Sequence, residues 1–265
     1  MSGSSVRQAA TVLVLRDGSS GPEIFMVQRH RRSGFLPNAW VFPGGRVDDT
    51  DQLTGHPRVL GGSHVLAQME LTAADGIGYL VAAVRETFEE AGVWLGEGTL
   101  PDAQRGPLNR GEVRFDALLD AHDARVELDR LHAWSWWITP EQEPRRYDTR
   151  FLVAHVRGAD MARHDAHETV DSCWIRLTEA VERSATGSMK MAPPTWWTLK
   201  ELAEHKSVDA IVAAAHARPN RPIQPIIKMG SGFELLLPGH PEHPASPIEG
   251  LPSTIRFHQG HWWAS

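Results

Sequence analysis

Apolar positions along the chain follow two periods, and the change from one to the other marks its elements. Residues 10–16 and 24–29 are apolar, β-rich runs. The segment between them, Asp17-Gly18-Ser19-Ser20-Gly21-Pro22, is dense in turn formers, so the pair predicts a hairpin that opens a sheet. Val41-Phe42-Pro43-Gly44-Gly45 reads as a short strand running into a glycine turn. Over residues 79–91 the period becomes helical: Leu80, Ala83, Val84 and Phe88 make one apolar stripe, and Gly92 follows as a C-cap. A helix over 113–121, strands over 133–139 and 150–156, and helices over 178–184 and 195–204 complete the main body. Beyond it, prolines at 219, 222, 225, 238, 241, 244, 247 and 252 forbid a long helix. Residues 223–229 and 233–237, joined by Gly230-Ser231-Gly232, predict a hairpin, to which 253–258 adds a strand. The expected division is a main domain over 1–205 and, over 206–265, a helix and Pro-rich β appendage packed on that domain or on a second subunit in a homodimer.

The polar face of the 79–91 helix changes the picture. Glu86, Glu89 and Glu90 stand at i, i+3 and i+4, so three carboxylates share one face a single turn long. Each like-charged pair destabilises a helix by a few tenths of a kcal/mol, roughly, and Arg85 can offset only Glu89 through its own i,i+4 relation. A divalent cation relieves the repulsion. Hard oxygen ligands suit Mg²⁺ or Mn²⁺, whose shells are completed by water and substrate phosphate. Upstream, Gly44 and Gly45 let backbone approach an ion or a phosphate, and a glycine carbonyl can join the carboxylates.

Together the Gly-Gly turn and Arg85-Glu86-Thr87-Phe88-Glu89-Glu90-Ala91-Gly92-Val93 resemble the signature box of the Nudix hydrolases: Gly, five residues, Glu, seven residues, then Arg-Glu-apolar-x-Glu-Glu-x-Gly-apolar. The second half matches, with Thr87 where an aliphatic is usual. In the first half, counting eight back from Arg85 gives Ile77 instead of a glutamate, and about thirty residues separate Asp48 from the helix. The expectation is therefore a missing or displaced acid, with Asp75 or Glu70 as substitutes. A box split in this way is similar to the branch that holds the peroxisomal coenzyme A diphosphatases of animals and their bacterial relatives. Gln28-Arg29-His30, Gly34-Phe35, Pro144-Arg145-Arg146-Tyr147-Asp148-Thr149-Arg150-Phe151 and Pro193-Pro194-Thr195 carry that likeness, which spans residues 9 to 205.

The resemblance implies an α/β fold, a Nudix-type α/β/α sandwich with a mixed sheet, here with an insertion at about 49–74 inside the box. It also implies a metal-dependent diphosphatase with one to three Mg²⁺ or Mn²⁺ ions held by Glu86, Glu89, Glu90 and the carbonyl of Gly44 or Gly45. A glutamate in a loop before a Trp-apolar strand often serves this family as an extra ligand or general base, which makes Glu168 a candidate for both roles beside Glu89. Arg85 is the remaining catalytic candidate. Arg29, Gly44, Arg46, Arg145 and Arg146 are candidates for binding substrate phosphate, because guanidinium forks pair bidentately with it. For Arg145, Arg146 and Arg150 a salt bridge with Asp148 is an equal alternative. His164 and His167 read as surface histidines, and Trp136-Trp137 and Trp196-Trp197 as packing residues before adenine stackers.

The implied substrate is a nucleoside diphosphate derivative. Coenzyme A or an acyl-coenzyme A, cut to 3',5'-ADP and a phosphopantetheine derivative, stands first. ADP-ribose, NADH and dinucleotides follow, and a Nudix-fold sensor without catalysis is the reading from another class. The insertion serves as a substrate cap or is an inert loop.

Composition trims the alternatives. The chain has 265 residues and 41% hydrophobic content, enough for one elaborated domain. Thirty-three acidic against 27 basic residues leave a net charge of -6, which argues against bulk nucleic-acid binding. No apolar run is long enough to span a membrane, and Met1-Ser2-Gly3-Ser4-Ser5 lacks the marks of a signal peptide, so the expected location is cytoplasmic. Cys173, the single cysteine, allows no internal disulfide and reads as a small buried hydrophobe.

Overall fold

The computed structural model describes residues 6–31, 37–157, 169–230 and 232–265. Strands β1 (Arg7–Gly18) and β2 (Gly21–Arg29) form the expected hairpin; β3 (Trp40–Val41) adds to β2, and β4 (Gly44–Arg46) turns back onto β1. A 3-10 turn at Asp49–Asp51 leads into the inserted segment with β5 (Val59–Leu60) and α1 (Ser63–Gln68), then the long helix α2 (Ala73–Ala91). Next come β6 (Gly96–Glu97), α3 (Arg105–Asn109), α4 (Phe115–Ala121), β7 (Arg125–Glu127), β8 (Leu131–Ile138), β9 (Tyr147–His155) and β10 (Thr169–Arg176). Helices α5 (Leu177–Ala185), α6 (Pro193–Leu202) and α7 (Val208–Ala217) follow. The chain closes with β11 (Pro222–Ile223), β12 (Ile226–Met229), β13 (Phe233–Leu236), β14 (Thr254–His258) and β15 (His261–Ala264).

The main sheet runs β10-β2-β1-β9-β8-β11 and is mixed, with β1 parallel to β9 and antiparallel to β2. Because successive residues of a strand point to opposite faces, β1 feeds two cores. Ala10, Val12 and Val14 pack with α2, whereas Leu13 and Leu15 pack with residues of α5, α6 and α7. The middle of this central strand, Val12 to Leu15, is therefore apolar at every position, as burial on both faces demands, and the architecture is an α/β/α sandwich.

Helix α2 begins six residues before the expected start at 79. Thr72 caps it by accepting from the Asp75 N–H, while Asp75 Oδ2 takes the Thr72 hydroxyl at 2.6 Å. Gly76 and Gly78 masked this first part in the sequence, and they are there for close packing. A Cβ on Gly76 would lie 2.3 Å from Leu66, and one on Gly78 2.4 Å from the Gln52 amide. Both contacts come from the insertion, which is ordered and helps build the first core through Leu53, Val65, Leu66 and Met69. It is not a surface loop.

The C-terminal strands form a second sheet in the order β12-β13-β14-β15, and Leu235, Leu237 and Ile255 join the core that holds Leu13 and Trp134. β15, which carries Trp262 and Trp263, is a strand the sequence reading did not expect. Cys173 is half-buried against the second core, and burial pushes its thiol up to about 11. No helix among the described residues is long and apolar enough to cross a membrane.

Candidate active site

The three carboxylates of α2 meet the β4 turn, and the contact explains both glycines. Gly44 N–H donates to Glu90 Oε2 at 2.9 Å. A Cβ on Gly44 would sit 2.3 Å from the Ala10 carbonyl oxygen, and one on Gly45 2.2 Å from Glu86 Oε1. The Glu86 carboxylate thus occupies the space a side chain at 45 would need. Substituting Gly45 with Ala is expected to displace Glu86 and remove most turnover while costing little stability, because the glutamate end can swing away. Steady-state kinetics beside a thermal melt would check this.

Arg85 organises the group from below. Its guanidinium makes five hydrogen bonds: Nε and Nη2 to Asp51 at 2.8 and 2.9 Å, Nη1 to Glu86 and Glu89 at 3.0 and 3.1 Å, and Nη2 to the Arg46 carbonyl at 3.1 Å. A guanidinium has five N–H donors, so none remains for a substrate. Arg85 is therefore a positioning residue and not the catalytic contact expected of it. Burial alone would lower its pKa, but the Asp51 hydrogen bonds and the charges of Glu86, Asp51 and Glu89 raise it well above the usual arginine value.

Asp51 is the residue the sequence reading missed. It is fully buried, binds Arg85 through both oxygens, and accepts the Asp48 N–H at 2.8 Å. Counting forward from Gly45 passes five residues and reaches Asp51, the spacing of the first half of the box with aspartate in place of glutamate. Counting backward from Arg85 hid it, because the insertion separates the halves. Asp75 and Glu70, the expected substitutes, do other things: Asp75 serves the helix cap and Glu70 is an exposed residue with φ 54°.

Burial raises the Glu86 carboxyl to about 7, with Arg85 opposing and the neighbouring Glu89 adding to the rise. The folded protein therefore holds a proton on Glu86 at pH values where an unfolded glutamate, with a pKa near 4.5, has lost it. Stability contributed by this group falls as pH rises between those two values. A cation bound there competes with that proton. Thermal stabilisation by Mg²⁺ or Mn²⁺ is thus expected to be larger at pH 8 than at pH 6, and melts at the two pH values would check it.

The remaining candidates gather at the same end of the sheet to different degrees. Arg46 pairs in register with Ala9 and directs an exposed guanidinium to within 4.0 Å of Asp48. Arg29 ends β2, half-buried. Arg7 pairs with Tyr147, which brings the 139–146 loop to the β4 end of the sheet. Arg145 is exposed there, but Arg146 donates to the Thr139 carbonyl at 3.2 Å and braces the loop. Arg150 is buried, stacked 3.6 Å over Trp136 and 3.7 Å from Asp148, in keeping with the salt-bridge reading. Trp137 and Trp196 are core residues. Glu168, His164 and His167, with Gly34 and Phe35, lie outside the described residues.

As the side chains stand, no group of three or more His, Cys, Asp and Glu among the described residues is arranged to hold a metal ion. Arg85 holds an oxygen of Glu86 and of Glu89, and the Gly44 N–H holds one of Glu90. The donor chemistry nevertheless fits a hard divalent cation: three carboxylates on one helical turn, one with its pKa raised first by burial and then by the neighbouring Glu89, beside a glycine whose missing side chain leaves room.

A family model described as the NUDT19 Nudix domain matches residues 66–202, just over half the chain. The chain belongs to the NUDT19 Nudix family. The Nudix assignment makes it an enzyme, a Nudix diphosphatase. Its relatives include the acyl-coenzyme A diphosphatase NUDT19 of Gallus gallus, 28% identical over 91% of this chain and 80% of that one. The Homo sapiens protein of the same name is 27% identical over 83% and 72%. The crystal structure of a Nudix hydrolase from Alicyclobacillus acidocaldarius superposes with a TM-score of 0.71 at 26% identity, covering 82% of this Nudix chain and 98% of the other.

Proposed function

We propose that this Nudix enzyme is a Mg²⁺- or Mn²⁺-dependent diphosphatase that cleaves coenzyme A or an acyl-coenzyme A to 3',5'-ADP and a phosphopantetheine derivative. The observation that carries the reading is the junction of Gly45 with Glu86 under the Asp51–Arg85 brace, in a chain whose relatives include acyl-coenzyme A diphosphatases. Glu86, Glu89, Glu90 and the Gly45 carbonyl would hold the ion. When bound, such an ion neutralises diphosphate charge and acidifies a water.

The chain's own groups do the rest. Arg85 aims Glu86 and Glu89 by donating to both and opposes the rise in the Glu86 pKa, so the carboxylate face is oriented before substrate arrives. Glu89 or Glu168 accepts the proton of the attacking water. Arg46, with its guanidinium exposed beside the turn, pairs with a phosphate oxygen, assisted by Arg29, Arg145 and backbone at Gly44. The non-catalytic sensor reading rested on a missing acid at 77; Asp51 supplies that acid and removes its support.

Product analysis by chromatography and mass on coenzyme A, acetyl-coenzyme A, ADP-ribose, NADH and dinucleotides tests the proposal. Release of 3',5'-ADP from the coenzyme A members is expected. Preferential cleavage of ADP-ribose, NADH or a dinucleotide would overturn the substrate assignment, and full turnover in chelator would overturn the metal dependence.

A further inference from the structure

Three histidines from distant parts of the chain pack ring against ring at the β8 edge of the main sheet, away from the carboxylates. His64 comes from α1 in the insertion, His132 from β8 and His216 from the last turn of α7. The His132 ring centroid lies 5.4 Å from that of His64 and 4.8 Å from that of His216, and the outer two are 5.8 Å apart. Gln68 of α1 donates to the Ala215 carbonyl of α7 at 3.1 Å and accepts the Ala133 N–H of β8 at 3.1 Å. The rings therefore mark the junction at which α1 and α7 are held to the sheet.

The middle ring is poorly placed to carry a charge. His132 is half-buried, and its Nδ1 is buried with no hydrogen-bond partner. An imidazolium donates from both nitrogens, so a proton added here leaves an N–H without an acceptor. The groups that face the ring do little to help. His64 and His216 lie against it from α1 and α7, and the residue opposite it in β9 is Val153. Asp129, on the 3-10 turn Leu128–Arg130, is occupied by the insertion: its Oδ1 accepts the Gly62 N–H at 2.7 Å and stands 3.1 Å from His64 Nδ1. Arg218, just past α7, is stacked 4.2 Å over Trp134 and paired with Glu201 at 2.8 Å. Burial, and after it the neighbouring His216 and His64, lower the His132 pKa from 6.5 to about 4, with Asp129 opposing.

A group whose pKa is lowered by folding supports the folded arrangement above its ordinary value and withdraws that support as pH falls towards its folded one, here between 6.5 and about 4. We propose that the three histidines form an acid-sensitive latch, closed while His132 is neutral and released when it takes up a proton beside His64 and His216, so that α1 and α7 undock from β8 in acid. Separation of the rings returns water to His132 Nδ1 and removes the repulsion of its neighbours, which is why the proton favours the undocked form. The insertion carries Asp51, the partner of Arg85, at its start, so acid that opens the latch also lowers turnover.

The test is limited proteolysis of the full chain with papain, which cuts at both pH 5 and pH 7, with the fragments mapped by mass. When reclosing outpaces cutting, the cleavage rate reports the population of the undocked form. In the natural protein, cuts within 61–71 should rise between pH 7 and pH 5 by roughly tenfold more than in His132→Leu, which keeps apolar bulk and takes no proton. The changes of papain and of Glu86 with pH are common to both proteins and cancel in that comparison. Ring-proton NMR reads the latch directly: His132 should titrate well below its ordinary value, and His216→Ala, whose side chain is exposed at a helix end, should move it upward and weaken the acid response. The proposal is overturned if the natural protein and His132→Leu show the same pH ratio, or if His132 titrates at its ordinary value. Should His132→Leu fail to fold, the same comparison is made with His216→Ala, and an unchanged ratio there overturns it.

Discussion

Replacing Glu90 with Gln should lower kcat by about a thousand-fold with the fold intact. The glutamate is nearly buried and accepts the Gly44 N–H, and a glutamine carbonyl can accept the same bond in the same volume. Shape and hydrogen bonding are preserved; one negative charge is removed from a face that carries three. A divalent ion in such a site supplies several kcal/mol of transition-state stabilisation, and each 1.36 kcal/mol corresponds to about tenfold in rate. The same change relieves like-charge repulsion, so the melting temperature in chelator should hold or rise slightly. Kinetics at saturating Mg²⁺ beside a melt in chelator separate the two effects. Near-normal turnover would remove Glu90 from the ligand set.

Asp51→Ala should destabilise the protein by about 3–5 kcal/mol, the usual consequence of removing one partner from a buried ion pair. Arg85 would lose two of its five acceptors, and the Asp48 N–H would lose its own. The remaining guanidinium stays buried beside Glu86 and Glu89 and is free to re-pair with them, which misaligns the ligand face. Activity per folded molecule should therefore fall as well. Denaturant unfolding gives the first quantity, and kinetics well below the midpoint give the second. Ile77→Ala provides the contrast: Ile77 stands where the backward count places the acid, yet it is a core residue, and its loss should cost stability without a change in metal response.

Much of this design is legible in the sequence because strong local patterns carry it. Residues 10–16 and 24–29 are apolar, β-rich runs separated by turn formers, so β1 and β2 fall close to their expected places. The stripe of Leu80, Val84 and Phe88 locates α2, and Gly92, at φ 67°, ends it as a left-handed cap. Other features depended on contacts no short window contains. The first turn of α2 hides behind Gly76 and Gly78, whose reason for being glycine is a pair of side chains from the insertion. Asp51 is one of several acids in Asp48-Asp49-Thr50-Asp51 until Arg85, distant in sequence, selects it. Arg85 itself reads as available chemistry in the sequence; only its five acceptors reveal that it is spent on structure.

Placing Asp51 at the mouth of the insertion couples two events that a contiguous box would keep apart. Proteins open in cooperative segments whose free energies lie well below that of global unfolding. Here a segment running from Asp48 through α1 holds both ends of one unit: its far side fills the first core with Val65, Leu66 and Met69, and its near side anchors Arg85. When that segment lifts, the ligand face loses its brace while the central sheet remains folded. Amide exchange in 48–69 and the rate of inactivation should then share one temperature dependence, well below the melt of the sheet.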